Sequence, residues 1–444
     1  MSKIIILGGG ESGVGAALLA KSKGFEVFLS DQGQLKDTFK NTLIENNIPF
    51  EDGQHSIEKI LEADEIIISP GIPEKNPIVQ AIKKQNISLI SEIEFASRYT
   101  TAKIIAITGS NGKTTTTLLT YHLLKNAGLK VGLAGNIGQS FAKQVMENQH
   151  EYYVLEISSF QLDRCFLFKP DVAVLINITP DHLDRYEYQF ENYIHSKFRI
   201  FQNADNESTS IFWTDDPVIT KYHHLIPAGS QLQSISSQQT DATAFISEDT
   251  IKIKPALSID LKLAPLKGPH NAINMSAAIL ASLAIGVSKE QIQQALPSFI
   301  NAEHRLEPCG NWKGIQFIND SKATNVDAVY FALNSFKQPI ILIMGGVDKG
   351  NDYTLLDELV KNNVKGLICL GIDNQKLENH FKGFCPQIYS TDNLEKAVAK
   401  GIEWAQEDDI ILLSPACASF DLFNNYEDRG RKFKEVIKHL TDGK

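Results

Sequence analysis

The chain has 444 residues, enough for roughly two to four domains with real cores. A hydrophobic share of 43% and a charged share of 22% are those of a soluble globular protein. A net charge of −10 argues against a general nucleic-acid or anionic-membrane binder and leaves room only for a local basic pocket for phosphates. Five dispersed cysteines (Cys165, Cys309, Cys369, Cys385 and Cys417), without a CxxC pair, predict free thiols in a reducing compartment and no thiolate metal site. The chain enters a strand directly after Met1-Ser2-Lys3, so no signal peptide is expected. Its apolar runs are too short for a membrane span. These features predict a cytoplasmic protein with no membrane insertion.

The first segment alternates strand and helix. Ile4–Leu7 is a short apolar strand, followed by Gly8-Gly9-Gly10-Glu11-Ser12-Gly13 and an Ala/Leu-rich helix to about Lys23. A second strand, Glu26–Leu29, ends on Ser30-Asp31, and a third, Glu65–Ile68, ends in Ser69-Pro70-Gly71-Ile72-Pro73. Strands alternating with helices predict a parallel sheet covered on both faces, here over residues 1–97. Gly8, Gly10 and Gly13 match GxGxxG, with Asp31 further on. Three readings stay open on these residues alone: a dinucleotide site, a site for another nucleotide, and a tight turn.

A second unit, residues 98–302, opens with the strand Lys103–Ile107 and the loop Gly109-Ser110-Asn111-Gly112-Lys113-Thr114-Thr115, then a helix to Asn126. Leu118, Leu119 and Leu123 give that helix its apolar side, and Gly128 is its stop. Phosphate binding needs close backbone N–H groups, a helix N-terminus, a cation and a metal-binding hydroxyl. The loop supplies all four, with Lys113 as cation and Thr114 or Thr115 as hydroxyl. Ile107 stands where the usual Walker pattern has its first glycine. Strands at Tyr153–Ile157 and Val172–Ile176 follow. Glu156, Asp181 and His182 lie at strand ends beside the loop, where ligands bind in such sheets, and oxygen donors there suit Mg²⁺. Lys197, by itself, reads as a solvated helix lysine. The polar stretch from about Asn203 to Leu266, with short alternating runs such as Ile251-Lys252-Ile253-Lys254, predicts a small peripheral sheet before a helix at Ala272–Ile285.

The third unit, residues 303–444, carries short buried strands at Ile340–Met344, Gly366–Leu370 and Ile410–Leu413. Asp320-Ser321-Lys322-Ala323-Thr324-Asn325 and Ser414-Pro415-Ala416-Cys417-Ala418-Ser419 follow strands as polar, small-residue turns that read equally as helix caps. Cys417 has no histidine near it in sequence and reads as a packing residue.

Taken in order, these segments resemble the Mur ligases, the ATP-dependent amide ligases of bacterial cell-wall precursor synthesis. The motifs are the GxNGKT-type loop, Glu156-Ile157-Ser158-Ser159, Asn177 to Asp184, Lys197, His270-Asn271 with Asn274, His304-Arg305 and Asp320 to Asn325. They run essentially end to end. The resemblance implies an α/β protein of three domains. The first is Rossmann-like, the central one P-loop ATPase-like with a parallel and a small peripheral sheet, and the C-terminal one a Rossmann-like α/β domain. Within the family, Gly135-Asn136-Ile137-Gly138 and the turns around Lys322 and Cys417 are most similar to the branch that adds D-glutamate to UDP-N-acetylmuramoyl-L-alanine.

That resemblance implies roles for particular residues. Glu11, Ser12, Asp31, Ser69 and Gly71 become contacts of the UDP-sugar, and Asn136 and His182 reach its muramoyl part. Gly109, Ser110, Asn111, Gly112, Lys113, Thr114 and Thr115 hold ATP, with Asn271, Arg305 and Asp320. Thr114, Glu156, His182 and a carbamylated Lys197 hold Mg²⁺. Lys322, Thr324, Lys349, Ser419 and Tyr426 serve the glutamate. Tyr426 replaces the phenylalanine of the better-known pattern, and Gly345-Gly346-Val347-Asp348-Lys349-Gly350 is spaced differently. The implied chemistry is an acyl phosphate made from ATP and opened by an amine. A monomer is expected, since nothing in the sequence forces an interface. Folylpolyglutamate synthase shares the central fold but lacks the first domain. An oxidoreductase leaves the loop at Gly109 without a role, and a nucleotide-binding module leaves the third unit's turns unexplained.

Overall fold

The apolar Ile/Val/Leu runs of this chain, such as residues 4–7, 104–107 and 340–344, become strands buried on both faces, which is what a parallel sheet between helices requires. The computed structural model describes residues 2–441 and separates into two compact units. One comprises Met1–Pro265 with Ile273–Phe299, the other Leu266–Ala272 with Ile300–Lys444.

The first unit contains two sheets. Residues 2–97 form five parallel strands in the spatial order Phe50–Asp52, Glu26–Asp31, Lys3–Leu7, Glu65–Ile68, Ser88–Ile90. The order reverses beside Lys3–Leu7, and the glycine loop leaves that strand at the reversal. In the second sheet, Lys103–Thr108 lies between Val172–Leu175 and Tyr152–Glu156, with Val131–Gly135 beyond. All are parallel, so the ends of the first three, which carry the loop at Gly109, Glu156 and the segment leading to His182, face the same way. Ile105 and Ile107 are wholly buried in the middle.

The expected peripheral sheet is instead continuous with this one. Thr209–Trp213, Gln231–Ser236 and Ala244–Ile246 extend it in parallel from Val172–Leu175, and Thr250–Ile253 and Leu257–Asp260 finish it antiparallel, giving nine strands. The alternation at Ile251 and Ile253, both buried while Lys252 is exposed, marks an edge with one wet face. The helix after the phosphate loop, Lys113–Asn126, also differs from expectation. Its buried face is built from Thr114–Thr117, Leu119, Thr120, Leu123 and Leu124, while Leu118 is partly exposed. Small β-branched threonines let the first turn sit tightly against the sheet.

The second unit has six strands, ordered Glu307–Trp312, Ile315–Asn319, Ile410–Ala416, Ile340–Gly345, Val364–Leu370, Ile388–Thr391. Only the first pair is antiparallel. The turns after Asn319, Gly345 and Ala416 therefore emerge side by side from adjacent strands. The helix Tyr426–Thr441 packs on this sheet through Phe433 and Ile437. No helix among the described residues is long and apolar enough to cross a membrane.

Candidate active site

The phosphate loop is shaped by two glycines with positive φ, Gly109 at 154° and Gly112 at 82°. A side chain on Gly112 would collide with Asn274 Oδ1. Asn177 fixes the loop from the neighbouring strand end: its Oδ1 accepts the Asn111 N–H at 2.8 Å and its Nδ2 donates to Asn111 O at 3.1 Å. Ser110 Oγ donates to Thr179 O at 2.9 Å and meets Tyr193 OH at 3.1 Å. Lys113 Nζ lies over the loop, donating to the carbonyls of Gly109 (2.8 Å) and Ser110 (2.9 Å). The first N–H groups of the following helix and this cation are thus gathered at one point, with Thr114 and Thr115 just inside.

Lys197 belongs to the same point. It lies on the helix Phe190–Phe198, is 1% exposed, and reaches Gly109 O at 2.8 Å and Thr108 Oγ1 at 3.2 Å. Burial, reinforced by the Lys113 charge, holds its amine well below the ordinary lysine pKa. A solvated lysine was expected from its position alone; the helix instead turns it inward under the phosphate loop. Glu156 ends the adjacent strand at 1% exposure. Its Oε1 accepts from Asn136 Nδ2 at 2.6 Å, and its Oε2 is buried with no hydrogen-bond partner. His182 sits in a left-handed turn (φ 53°), edge-on to Phe160 and 3.6 Å from Asp181.

At the N-terminal loop, the Asp31 carboxylate accepts the N–H groups of Gly9 (2.5 Å) and Gly33 (2.7 Å), so it braces the loop that a ligand would meet. Ser69 Oγ donates to Gly8 O at 3.3 Å. Glu11 is exposed at the start of its helix, and Ser12 lines a small cavity of about 40 Å³ with Ser69, Glu92 and Arg185. Sequence reading missed Arg185, three residues beyond His182. Its guanidinium donates to Pro70 O (3.1 Å) and Gly71 O (3.4 Å) and lies 4.3 Å over the Phe160 ring. It thereby ties the His182 loop to the Ser69–Gly71 loop. Its signal was the Asp184-Arg185 pair, one residue beyond the histidine. Glu92 was also missed. Burial pushes its carboxyl up to about 7 against hydrogen bonds from Ser140 Oγ (2.5 Å) and Ala142 N (2.9 Å).

The remaining predicted residues lie in the second unit. Asn271 Nδ2 donates to Lys267 O at 2.8 Å. Asp320 is 7% exposed, accepts from Ser414 Oγ (2.8 Å) and the Leu306 N–H (3.1 Å), and is pushed up to about 7 by burial, with the Arg305 charge opposing. Lys322 Nζ stands 5.3 Å over the Tyr426 ring. Thr324 and Lys349 are exposed on their turns, and Ser419 is buried at 2%. The Lys349 loop is organised by Asp348, which accepts from Tyr353 OH (2.7 Å), Lys376 Nζ (3.0 Å) and the Gly350 and Asn351 N–H groups. Cys417 is buried, meets Tyr353 OH at 3.3 Å, and has its thiol pushed up by burial, as befits a packing residue.

A GxxGKT loop between a parallel strand and a helix, with a buried lysine and carboxylate beneath it, defines a P-loop enzyme that handles a nucleoside triphosphate. Three family models match the chain. They are the Mur ligase MurD-like N-terminal domain (residues 2–91), the Mur ligase middle domain (107–282) and the Mur ligase glutamate ligase domain (304–417). A UDP-N-acetylmuramoylalanine--D-glutamate ligase of Cytophaga hutchinsonii is 50% identical, covering 99% of each chain. One of Bacteroides fragilis is 48% identical over 99% of this chain and all of its own. Among solved structures, a MurF ligase from Thermotoga maritima shares the fold with a TM-score of 0.64 at 16% identity, over 96% of this chain and 99% of its own. The chain belongs to the Mur ligase family, whose members are ATP-dependent ligases.

Proposed function

We propose that this chain joins the carboxylate of UDP-N-acetylmuramoyl-L-alanine to the amine of D-glutamate, converting ATP to ADP and phosphate, as a cytoplasmic monomer in peptidoglycan precursor synthesis. Near-identity of length and about half of all residues shared with relatives of that name support the substrates. The observation that carries the chemistry is the convergence of Lys113 and Lys197 on the Gly109 carbonyl, beside the buried Glu156.

The N–H groups of residues 109–115 and the helix N-terminus cradle the phosphates, and Lys113 moves from the loop carbonyls to a phosphate oxygen. A carboxylate oxygen of the alanyl group attacks the γ-phosphorus while the bond to the β–γ bridging oxygen breaks, giving ADP and an acyl phosphate. The amine of glutamate then adds to the acyl carbon, loses a proton, and phosphate leaves with its electron pair. Glu11, Ser12, Asp31, Ser69 and Gly71 serve the UDP moiety, Asn136 and His182 the muramoyl side, Asn271, Arg305 and Asp320 ATP, and Lys322, Thr324, Lys349, Ser419 and Tyr426 glutamate.

The residues beneath the loop fit a divalent cation. A buried carboxylate oxygen without a hydrogen-bond donor is costly unless a cation faces it, and Glu156 Oε2 is in that state. Among the described residues no three His, Cys, Asp or Glu side chains cluster for a metal, so the donor set must include another group. The Lys197 amine, whose protonated form burial disfavours, can add CO₂ with loss of a proton and become a carbamate oxygen donor. Thr114, Glu156, His182 and carbamylated Lys197 would hold Mg²⁺, which when bound neutralises charge on the transferred phosphoryl group. The test is isotopic. With ¹⁸O in the alanyl carboxylate, one label per turnover must appear in inorganic phosphate; unlabelled phosphate would exclude the acyl-phosphate route.

A further inference from the structure

Three turns of the second unit, after Asn319, Gly345 and Ala416, carry four of the five residues assigned above to glutamate. Turns on separate strands can bind one small ligand only if their mutual register is held to a fraction of an ångström. Backbone pairing supplies part of this: the Val347 N–H donates to Ala418 O at 2.8 Å, and a side chain on Gly346 would collide with that same carbonyl. On the Ser321 side the ladder ends with the Asp320 N–H on Leu413 O at 2.8 Å and does not tie that turn to the ones after Gly345 and Ala416.

Arg429 does. It lies in the first turns of the helix Tyr426–Thr441, is 2% exposed, and has five N–H donors. Nε donates to Ser321 Oγ at 2.9 Å. One terminal nitrogen donates to Gly345 O (3.4 Å) and Cys417 O (3.3 Å), the other to Ser321 O (2.8 Å) and Cys417 O (3.2 Å). All five donors are used, and all three turns are reached. Ser321 Oγ, while accepting from Nε, donates to Tyr426 O at 2.8 Å, which closes the network onto the residue that faces Lys322.

These acceptors are carbonyls and a hydroxyl, with no carboxylate in direct contact. A buried guanidinium kept only for packing would be replaced without loss by an apolar side chain of similar volume. Here its planar fork matches three separate backbone stations that no apolar side chain or lysine can satisfy together. Its charge also lies beneath turns that would receive a dicarboxylic amino acid.

We infer that Arg429 is a positioning residue for the amino-acid substrate, a single guanidinium that keeps the turns bearing Lys322, Thr324, Lys349 and Ser419 in register. The inference rests on the reading of those residues as the glutamate side. Arg429 touches no substrate itself; it acts through the turns.

The test is a steady-state comparison of the full chain with Arg429→Lys, Ser321→Ala and Lys322→Ala. Arg429→Lys keeps the charge but offers one nitrogen in place of a fork. It is expected to raise KM for D-glutamate about tenfold or more, with KM for UDP-N-acetylmuramoyl-L-alanine within about twofold of the parent. Ser321→Ala removes one acceptor and guards against misfolding of the arginine variant. It is expected to raise the same KM severalfold at an unchanged Tm. A lowered Tm with an unaltered glutamate KM in both variants would make Arg429 a structural residue only and overturn the inference. If Lys322→Ala also leaves that KM unaltered, the glutamate-side reading falls and takes the inference with it. If Lys322→Ala raises it and the other two do not, the inference alone fails.

Discussion

Glu92 shows what one buried carboxyl does to the whole chain's response to pH. Its folded pKa stands near 7, raised by burial above the ordinary glutamate value. The folded state therefore holds a proton that the unfolded state releases at lower pH. Its contribution to stability is complete below about pH 4.5 and is lost as pH rises toward 7, after which the loss stays constant. A rise from 4.5 to about 7 corresponds to about 3 kcal/mol. Glu92→Gln mimics the protonated acid at every pH. We expect the variant to match the parent's Tm at pH 5 and exceed it by several degrees at pH 8; an equal difference at both pH values would contradict the assignment. Nothing in the local sequence marked Glu92, because its burial depends on Ser140 and Ala142, some fifty residues away in the chain. Lys197 was likewise unreadable from its neighbours, and only the resemblance singled it out. The lysine and threonines after Gly112 were readable, because phosphate binding constrains spacing within one loop.

At the scale of elements, strand ends do most of the positioning. Gly135 closes the strand Val131–Gly135 at φ 98°, and a side chain there would strike the Glu156 carbonyl oxygen. Gly135→Ala must adopt a left-handed conformation, costing about 1–2 kcal/mol, and must also push the Glu156 strand end aside. We expect a Tm lower by about 5 °C together with a clear fall in kcat, since Glu156 moves with its backbone. An unchanged kcat would show that Glu156 is not held where the chemistry needs it. The long apolar strands were legible, Glu65–Ile68 to the residue and Ile410–Ala416 three residues short at its end, because burial on both faces demands uninterrupted apolar residues. Phe50–Asp52 and Ile388–Thr391 were not, since short edge strands are half exposed and carry no such run. The same reasoning explains the peripheral strands. Their alternating pattern is legible, but whether they pair with one another alone or extend the central sheet is decided by edge hydrogen bonds that side-chain pattern does not encode.

For the whole molecule, three mostly parallel sheets each place their working loops at the C-terminal ends of their strands, the rule for open α/β sheets. One such edge carries a glycine loop, one a phosphate loop, and one the three turns gathered by Arg429. The order of these motifs along the chain is what made the family legible from sequence; composition and charge alone reached no further than a globular protein, and strand–helix alternation added the α/β class. The family supplies ATP-dependent ligation, and the named substrates are the central claim. Release of inorganic phosphate from ATP, measured with each substrate alone, with both, and with a panel of amino acids in place of D-glutamate, tests it most directly. The account predicts rapid release only when UDP-N-acetylmuramoyl-L-alanine and D-glutamate are both present, and none above background with either alone. Equal or faster turnover with another amino acid, or release that does not require the UDP-sugar, would contradict it.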